Sequence, residues 1–181
     1  SEALRKEGYW GRDNWRLTAR ERRRGLHLKS RPNRLDSLIK HLGDEDRLPA
    51  IYFTFGRRRT ETLAWELAGF NFLSGTEREK ITDLFGQLMG HYNLSEDPSA
   101  RQVAHLVERG VAYHHAGMLP TLKEVVERLF TSRLLKLIFT TETFALGINM
   151  PARTVVFDEL RKFYGTHFAY LRTRDFYQMA G

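Results

Sequence analysis

The sequence predicts an α/β fold, in which a parallel sheet carries helices on both faces. Short apolar runs that suit buried strands alternate along the chain with longer segments that have helical spacing. Strands are expected at 50–55, from residue 111, at 134–139 and at 154–157. The last two runs lie close together in the chain and are expected to be neighbouring strands. Because parallel strands are joined by right-handed crossovers, their carboxyl ends should meet at one edge of the sheet.

The helices are predicted from periodic apolar residues and from signals at their ends. Capping-box patterns over 76–79 and 99–102 suit helix starts, whereas Gly43 and Gly110 suit helix stops. The helices themselves are expected at 35–42, 60–68, 76–89, 99–109 and 122–130.

Composition favours one domain with a core and an additional arm. The 181 residues are 41% hydrophobic and include no cysteine, so neither a disulfide framework nor a thiolate metal site is available. This favours an intracellular protein, and a cytoplasmic location is expected. No apolar run is long enough to span a membrane, and residues 1–10 lack a signal-peptide core. The chain begins without Met and ends within a predicted helix start, so we expect it to be a piece of a longer protein.

The positive charge is concentrated at the amino terminus. Residues 1–34 hold 11 of the 29 Lys/Arg and 4 of the 22 Asp/Glu, so the other 147 residues hold 18 of each. The whole net charge of +7 therefore lies within residues 1–34. A basic arm is predicted over 1–33, and it precedes a domain predicted over 34–181. With its interleaved tyrosine and tryptophans, the arm could bind phosphates and stack on bases. A solvated linker whose aromatic residues dock on another domain is the favoured alternative.

Three turns that suit anionic ligands each follow a predicted strand directly. They are Gly56-Arg57, His115–Gly117 and Thr140–Glu142. Glycine permits close backbone approach, while arginine, hydroxyl groups and first-turn helix amides donate to phosphate oxygens. At the carboxyl edge of one sheet, such turns suit a long polyanion better than a small molecule.

Each turn also has a plain structural interpretation. The residues from Thr140 could form an ordinary strand–helix turn with a threonine cap. One of His114 and His115 is expected to be a buried, hydrogen-bonded histidine, and zinc is disfavoured because no third ligand lies nearby in sequence. Of three consecutive arginines, Arg57 is expected to bind and the next two to be solvated.

Four motifs, taken in order, resemble those of the second RecA-like domain of superfamily 2 helicases. The motifs are IYFTFGR from Ile51, HHAGMLP from His114, TTETFALGINMP from Thr140 and YQMAG from Tyr177. In particular, the chain resembles the superkiller-type DExH RNA helicases from about Arg34 to its last residue. The resemblance implies a RecA-like parallel sheet with helices on both faces, preceded by the basic arm.

The resemblance implies nucleic-acid contacts at three places. In the family, the first motif holds the strand backbone, the second is a further backbone-contacting turn, and the third carries a threonine that contacts a phosphate. The matching positions are Phe55, Gly56, Arg57, His115, Ala116, Gly117, Thr141 and Glu142. Gly56 stands where the family usually has serine, so no hydroxyl is available there, and Thr60 stands where cysteine is common.

The resemblance also implies half of an ATP site. Gly147 and Asn149 match positions on the ATP-facing side of the interdomain cleft, and Gln178 begins the motif whose arginines reach the γ-phosphate in the family. The chain has no GxxxxGK[ST] phosphate loop and no DExH box, so we expect both, with Mg²⁺, in a first RecA-like domain. No catalytic residue or metal ligand is therefore predicted here, and the chain alone is expected to be inactive as an ATPase.

The expected function is that of a segment of an ATP-dependent RNA helicase. It would grip single-stranded RNA, or DNA, by its backbone, share ATP with the first RecA-like domain of the same protein, and act in an RNA-decay complex. The same domain of a superfamily 2 DNA-repair helicase and a non-catalytic, helicase-derived nucleic-acid-binding module are alternatives. A dinucleotide-dependent enzyme is disfavoured, because no G-x-G-x-x-G follows the first strand.

Overall fold

The structure, a computed structural model, describes residues 34–145 and 151–180. In chain order its elements are α1 (Leu35–Asp44), β1 (Ala50–Phe53), α2 (Arg57–Glu66), α3 (Gly75–His91), α4 (Pro98–Val107), β2 (Val111–His114), α5 (Pro120–Thr131), β3 (Leu137–Thr140), a 3-10 helix (Glu142–Ala145), β4 (Thr154–Phe157), β5 (Arg161–Phe163), β6 (Phe168–Tyr170) and α6 (Thr173–Ala180). None of the helices in those two ranges is long and apolar enough to cross a membrane. The predicted arm, 1–33, lies outside the described residues.

Four parallel strands form the main sheet, in the order β2-β3-β1-β4. Their carboxyl ends are in register, so that Phe53 lies beside both Thr140 and Phe157, and Thr140 lies beside His114. This confirms the predicted α/β fold. The expectation that β3 and β4 are neighbours is wrong. The fully buried, apolar β1 takes the central position between them, and β4 occupies a half-buried edge.

Both faces of the inner part of the sheet are covered. All residues of β1, β2 and β3 are buried, although successive side chains of a strand point to opposite faces. Helix α2 packs against β2 and β3, while α4 and α5 pack against β2. The largest fully buried side chains include Phe53, Phe130 and Phe139. Removing each such ring from water stabilises the fold by roughly 1.5–3 kcal/mol.

Two helices begin earlier than the capping-box patterns predicted. The cap of α3 is Ser74, whose hydroxyl accepts from the Glu77 amide at 3.3 Å, while the Glu77 carboxylate accepts from the Ser74 amide at 2.9 Å. The expected cap at Thr76 is wrong because the overlapping Ser74-x-x-Glu77 fits the same motif. Helix α4 is capped by the Asp97 carboxylate, which accepts from the Ser99 amide at 2.9 Å, so Ser99 lies inside the first turn.

A two-stranded antiparallel hairpin, β5-β6, follows the main sheet and was not predicted from the sequence. Phe163 and Phe168 lie opposite each other across it, with ring centroids 5.2 Å apart. An ion pair between Lys162 of β5 and Glu142 of the 3-10 helix ties the hairpin to the end of β3. The hairpin therefore reaches the same edge of the sheet as the predicted turns.

Candidate nucleic-acid interface

A groove of about 340 Å³ opens at the carboxyl edge of the sheet. Three turns and the hairpin contribute its walls. The lining residues are Thr54, Phe55, Gly56, Arg57, Ala116, Thr141, Glu142, Lys162 and Phe163. Because β1, β2 and β3 end in register, the turns that follow them lie together, as their order in the sequence predicted.

The first wall is the turn between β1 and α2, which buried hydroxyl groups hold in place. The hydroxyls of Thr54 and Thr60 lie 2.7 Å apart. Each is also within hydrogen-bond distance of the Gly56 carbonyl oxygen, at 3.2 Å for Thr54 and 2.9 Å for Thr60. Gly56 has no side chain, so the first amides of α2 lack a side-chain cap and can donate hydrogen bonds to an anion. Position 56 therefore offers only backbone groups to the groove.

The three consecutive arginines differ in what they contact. Arg57 lines the groove, and Arg58 is exposed outside it. Arg59 binds Asp158 through two nitrogens, at 3.0 and 3.2 Å, and Asp158 also accepts from the Tyr52 hydroxyl at 2.9 Å. The bond to Asp158 raises the pKa of Arg59. Arg59 is exposed, as expected of a solvated arginine, but it also fastens α2 to the segment that follows β4.

Both histidines of the HHAG motif are buried, each with 4% of its surface exposed. His114 Nε2 lies 2.8 Å from the Glu127 carboxylate, and its ring packs edge-on against Phe144 at 4.6 Å. Burial lowers the pKa of His114. The prediction that one of the pair is a buried, hydrogen-bonded histidine thus holds for both, and neither ring is among the groove's lining residues.

His115 instead positions the turn that follows it. Its Nδ1 accepts a hydrogen bond from the Gly117 amide at 3.1 Å, so in the neutral ring Nε2 carries the proton and donates to Glu61 at 2.7 Å. This burial argues against the expected nucleic-acid contact by the His115 side chain. Any contact from this turn falls to Ala116 and Gly117, both of which are exposed.

Gly117 allows the turn to pack closely against Arg57. A β-carbon at position 117 would lie 3.1 Å from His115 Nδ1 and 3.4 Å from Arg57 Cδ. To admit a side chain, the His115 ring would have to shift by a few tenths of an ångström, whereas the distance to Arg57 is close to an ordinary contact. Residues from β2, its turn and α2 are therefore packed into a single unit beside the groove.

The third wall follows β3. The buried Thr140 hydroxyl donates to the His114 carbonyl at 2.9 Å, and the 3-10 helix begins two residues later. Phe144 anchors this helix, because it is buried against the rings of His114 and Phe130. Thr141 and Glu142 are half-buried and line the groove. The anchored helix therefore holds both residues at the groove.

Comparison with curated proteins finds relatives along most of the chain, although no family model matches it. Over 153 residues, or 83% of the chain, it is 38% identical to the ATP-dependent RNA helicase mtr4 of Schizosaccharomyces pombe. It is 40% identical to human Superkiller complex protein 2 over 80% of the chain, and 42% identical to the Arabidopsis thaliana helicase DExH11 over 80%. The chain matches a segment of the superkiller-type DExH-box RNA helicases. It spans only 14%, 12% and 11% of the lengths of these three relatives.

Within this helicase segment, Lys162 and Phe163 are groove residues that the sequence reasoning missed. They lie on β5, outside the motifs that carried the resemblance. A signal was present: basic and aromatic residues are interleaved from Arg161 to Tyr170, around Gly165. That pattern is typical of a strand pair that faces nucleic acid.

The three residues expected on the ATP side stay predictions. Gly147 and Asn149 lie outside the described residues. Gln178 is exposed on α6, beside the buried Met179 that docks this helix on the core. Gln178 does not line the groove.

Proposed function

We propose that this chain is the strand-gripping second RecA-like domain of an ATP-dependent RNA helicase. The observation that carries the proposal is the groove, where Arg57, the uncapped start of α2, the Ala116–Gly117 turn and Thr141 converge at one edge of the sheet. The printed names of the relatives, which include ATP-dependent and exosome RNA helicases, support the same function.

The groove binds the sugar–phosphate backbone rather than the bases. Arg57 supplies a charged donor, while the Thr141 hydroxyl and the first amides of α2 supply neutral donors. These groups recognise phosphate oxygens and carry no information about base identity. The grip is therefore independent of sequence, as a motor that moves along RNA requires.

ATP, with Mg²⁺, binds between this domain and a first RecA-like domain of the same protein. Gly147, Asn149 and Gln178 contribute to this domain's side of that cleft. The nucleotide supplies the free energy for closing and reopening the cleft, and this chain contributes the grip on the strand. Single-stranded RNA is the proposed substrate, an RNA-decay complex in the cytoplasm is the proposed setting, and the chain alone is proposed to lack ATPase activity.

Arg57 and Arg58 offer a matched test of the groove. We expect the 181-residue chain to bind a fluorescent oligouridine weakly, with affinity that falls steeply as salt rises. Arg57→Ala should weaken binding by roughly tenfold and reduce the salt dependence by about one counterion, because one phosphate contact is lost. Arg58→Ala, which removes an equal charge outside the groove, should have a much smaller effect.

Fluorescence anisotropy across a salt series would measure both constants. Equal losses for the two variants would mean that charge alone, and not the groove, attracts the strand. An affinity that does not change with salt would contradict the phosphate grip altogether.

A further inference from the structure

The groove that is proposed to bind phosphate also contains a negatively charged carboxylate, that of Glu142. Its side chain is 40% exposed, and it lines the same groove as Arg57 and Thr141. An ionised carboxylate only accepts hydrogen bonds, and phosphate oxygens also only accept them. Glu142 therefore cannot bind a phosphate, and some other group of the strand must face it.

Lys162 reduces the electrostatic repulsion between the Glu142 carboxylate and a neighbouring phosphate. It forms an ion pair with Glu142 Oε2, and its ammonium lies 5.2 Å from the centroid of the Tyr164 ring. The Lys162 side chain is only 20% exposed, so it is held in place rather than extended into solvent. The ion pair neutralises the charge of Glu142 through Oε2. The other carboxylate oxygen, Oε1, remains as a hydrogen-bond acceptor, and Glu142 is the more exposed residue of the pair.

A nucleic-acid backbone offers one donor to such an acceptor. Phosphates and deoxyribose have no hydroxyl hydrogen in the middle of a strand, whereas each ribose presents a 2′-OH. Base donors differ from base to base and would give the groove a sequence preference. Since Thr141 and Glu142 are consecutive, a phosphate at the threonine would leave the adjoining ribose beside the carboxylate.

We infer that Glu142 accepts a hydrogen bond from a ribose 2′-OH and so makes the groove prefer RNA to DNA. The inference rests on the proposed function, because it names the sugar of the strand that the groove grips. In this arrangement Lys162 neutralises the carboxylate, so that neighbouring phosphates are not repelled.

A purely mechanical role for Glu142 makes a different prediction. As a latch between the 3-10 helix and the hairpin, it would act only through the ion pair, and breaking that pair from either side would have the same effect. As a reader of ribose, Glu142 affects RNA alone, while Lys162 affects RNA and DNA alike. Measuring how substitutions of Glu142 and of Lys162 each change the affinity for RNA and for DNA therefore distinguishes the mechanical role from the ribose-binding role.

The test compares oligouridine, oligodeoxyuridine and 2′-O-methyl oligouridine of equal length, at one salt concentration, by fluorescence anisotropy. The wild-type chain should bind RNA about tenfold more tightly than the other two strands, which lack the donor. Glu142→Ala should abolish that ratio. Glu142→Gln should keep most of it, because the amide oxygen still accepts. Lys162→Met should weaken binding of all strands by a similar factor and preserve the ratio.

Each outcome decides something. Equal binding of the three strands by the wild-type chain would overturn the inference and leave the proposed grip intact. Equal proportional losses for RNA and DNA in Glu142→Ala would identify a latch. Binding of none of the strands would overturn the proposed function itself, and the inference with it. Because the wild-type ratio needs no variant, the inference stays testable even if a substitution impairs folding.

Discussion

The two edges of the main sheet carry cavities of opposite electrostatic character. At the amino edge lies the larger one, of about 530 Å³, compared with about 340 Å³ for the groove at the carboxyl edge. The charged groups of the larger cavity are Asp36, Asp44, Asp46, Glu77, Lys40 and Lys136. Those of the groove are Arg57, Lys162 and Glu142. Acidic groups thus dominate the larger cavity, and basic groups dominate the groove.

Backbone dipoles reinforce this difference. The carboxyl edge receives the start of α2, where uncapped amides carry partial positive charge. The amino edge receives the end of α1, whose last residues, Gly43 and Asp44, line the larger cavity next to the partial negative charge of the helix end. Strand direction and charge, rather than volume, therefore determine which edge suits a polyanion.

The largest expected effect comes from breaking the carboxyl edge at His115. His115→Ala removes the acceptor for the Gly117 amide and the donor to Glu61, and leaves a buried gap. We expect a loss of about 2 kcal/mol in the free energy of unfolding and roughly a tenfold loss of RNA affinity. Urea unfolding and fluorescence anisotropy measure the two effects.

His115→Asn is the matched control for that prediction. Its side-chain oxygen can take the place of Nδ1 and accept from the Gly117 amide, but it does not reach Glu61. RNA affinity should largely return while part of the stability loss remains. If both variants bind RNA like the wild type, then the turn does not contribute to the grip.

A smaller effect is expected at the amino edge, and on stability alone. Lys136 donates to Glu77 at 2.6 Å beside the larger cavity. Glu77→Gln keeps the capping box but removes this ion pair, so the free energy of unfolding should fall by about 0.5–1 kcal/mol. RNA affinity should not change. Glu79→Gln, on the exposed face of the same helix, is the control. A loss of RNA affinity in Glu77→Gln would show that the two edges are not separate in function.

The smallest effect is the pH dependence of the same ion pair. Chiefly through the bond from Lys136, and also through the Ser74 amide, the pKa of Glu77 falls from its ordinary 4.5 to about 2. Because the folded pKa is the lower one, the stabilisation is complete above pH 4.5 and is lost as the pH falls towards 2. The stability difference between wild type and Glu77→Gln should therefore shrink between pH 6 and about pH 3. If the stability difference did not change with pH, ionisation of Glu77 would not be the source of the stabilisation.

Much of the site could be predicted because its position depends on chain order alone. Arg57 and Thr141 each follow a buried strand, and parallel strands send such residues to one edge. One prediction failed where two overlapping sequences fit the same capping motif, starting at Ser74 and at Thr76. Another failed for β4, which pairs with β1 and not with the strand that precedes it in the chain. Local patterns hold no information about those choices.

By itself, the sequence determined the alternation of strands and helices, the order of the motifs, and hence the edge at which the turns meet. Only the tertiary structure decided what each side chain does there. The partners Glu61 and His115, Arg59 and Asp158, and Glu142 and Lys162 are separated by 54, 99 and 20 residues. Such contacts arise from how the whole core packs, so the same motif residue can face a ligand or be buried beneath it. Packing alone buries His115 and places Lys162 at the groove.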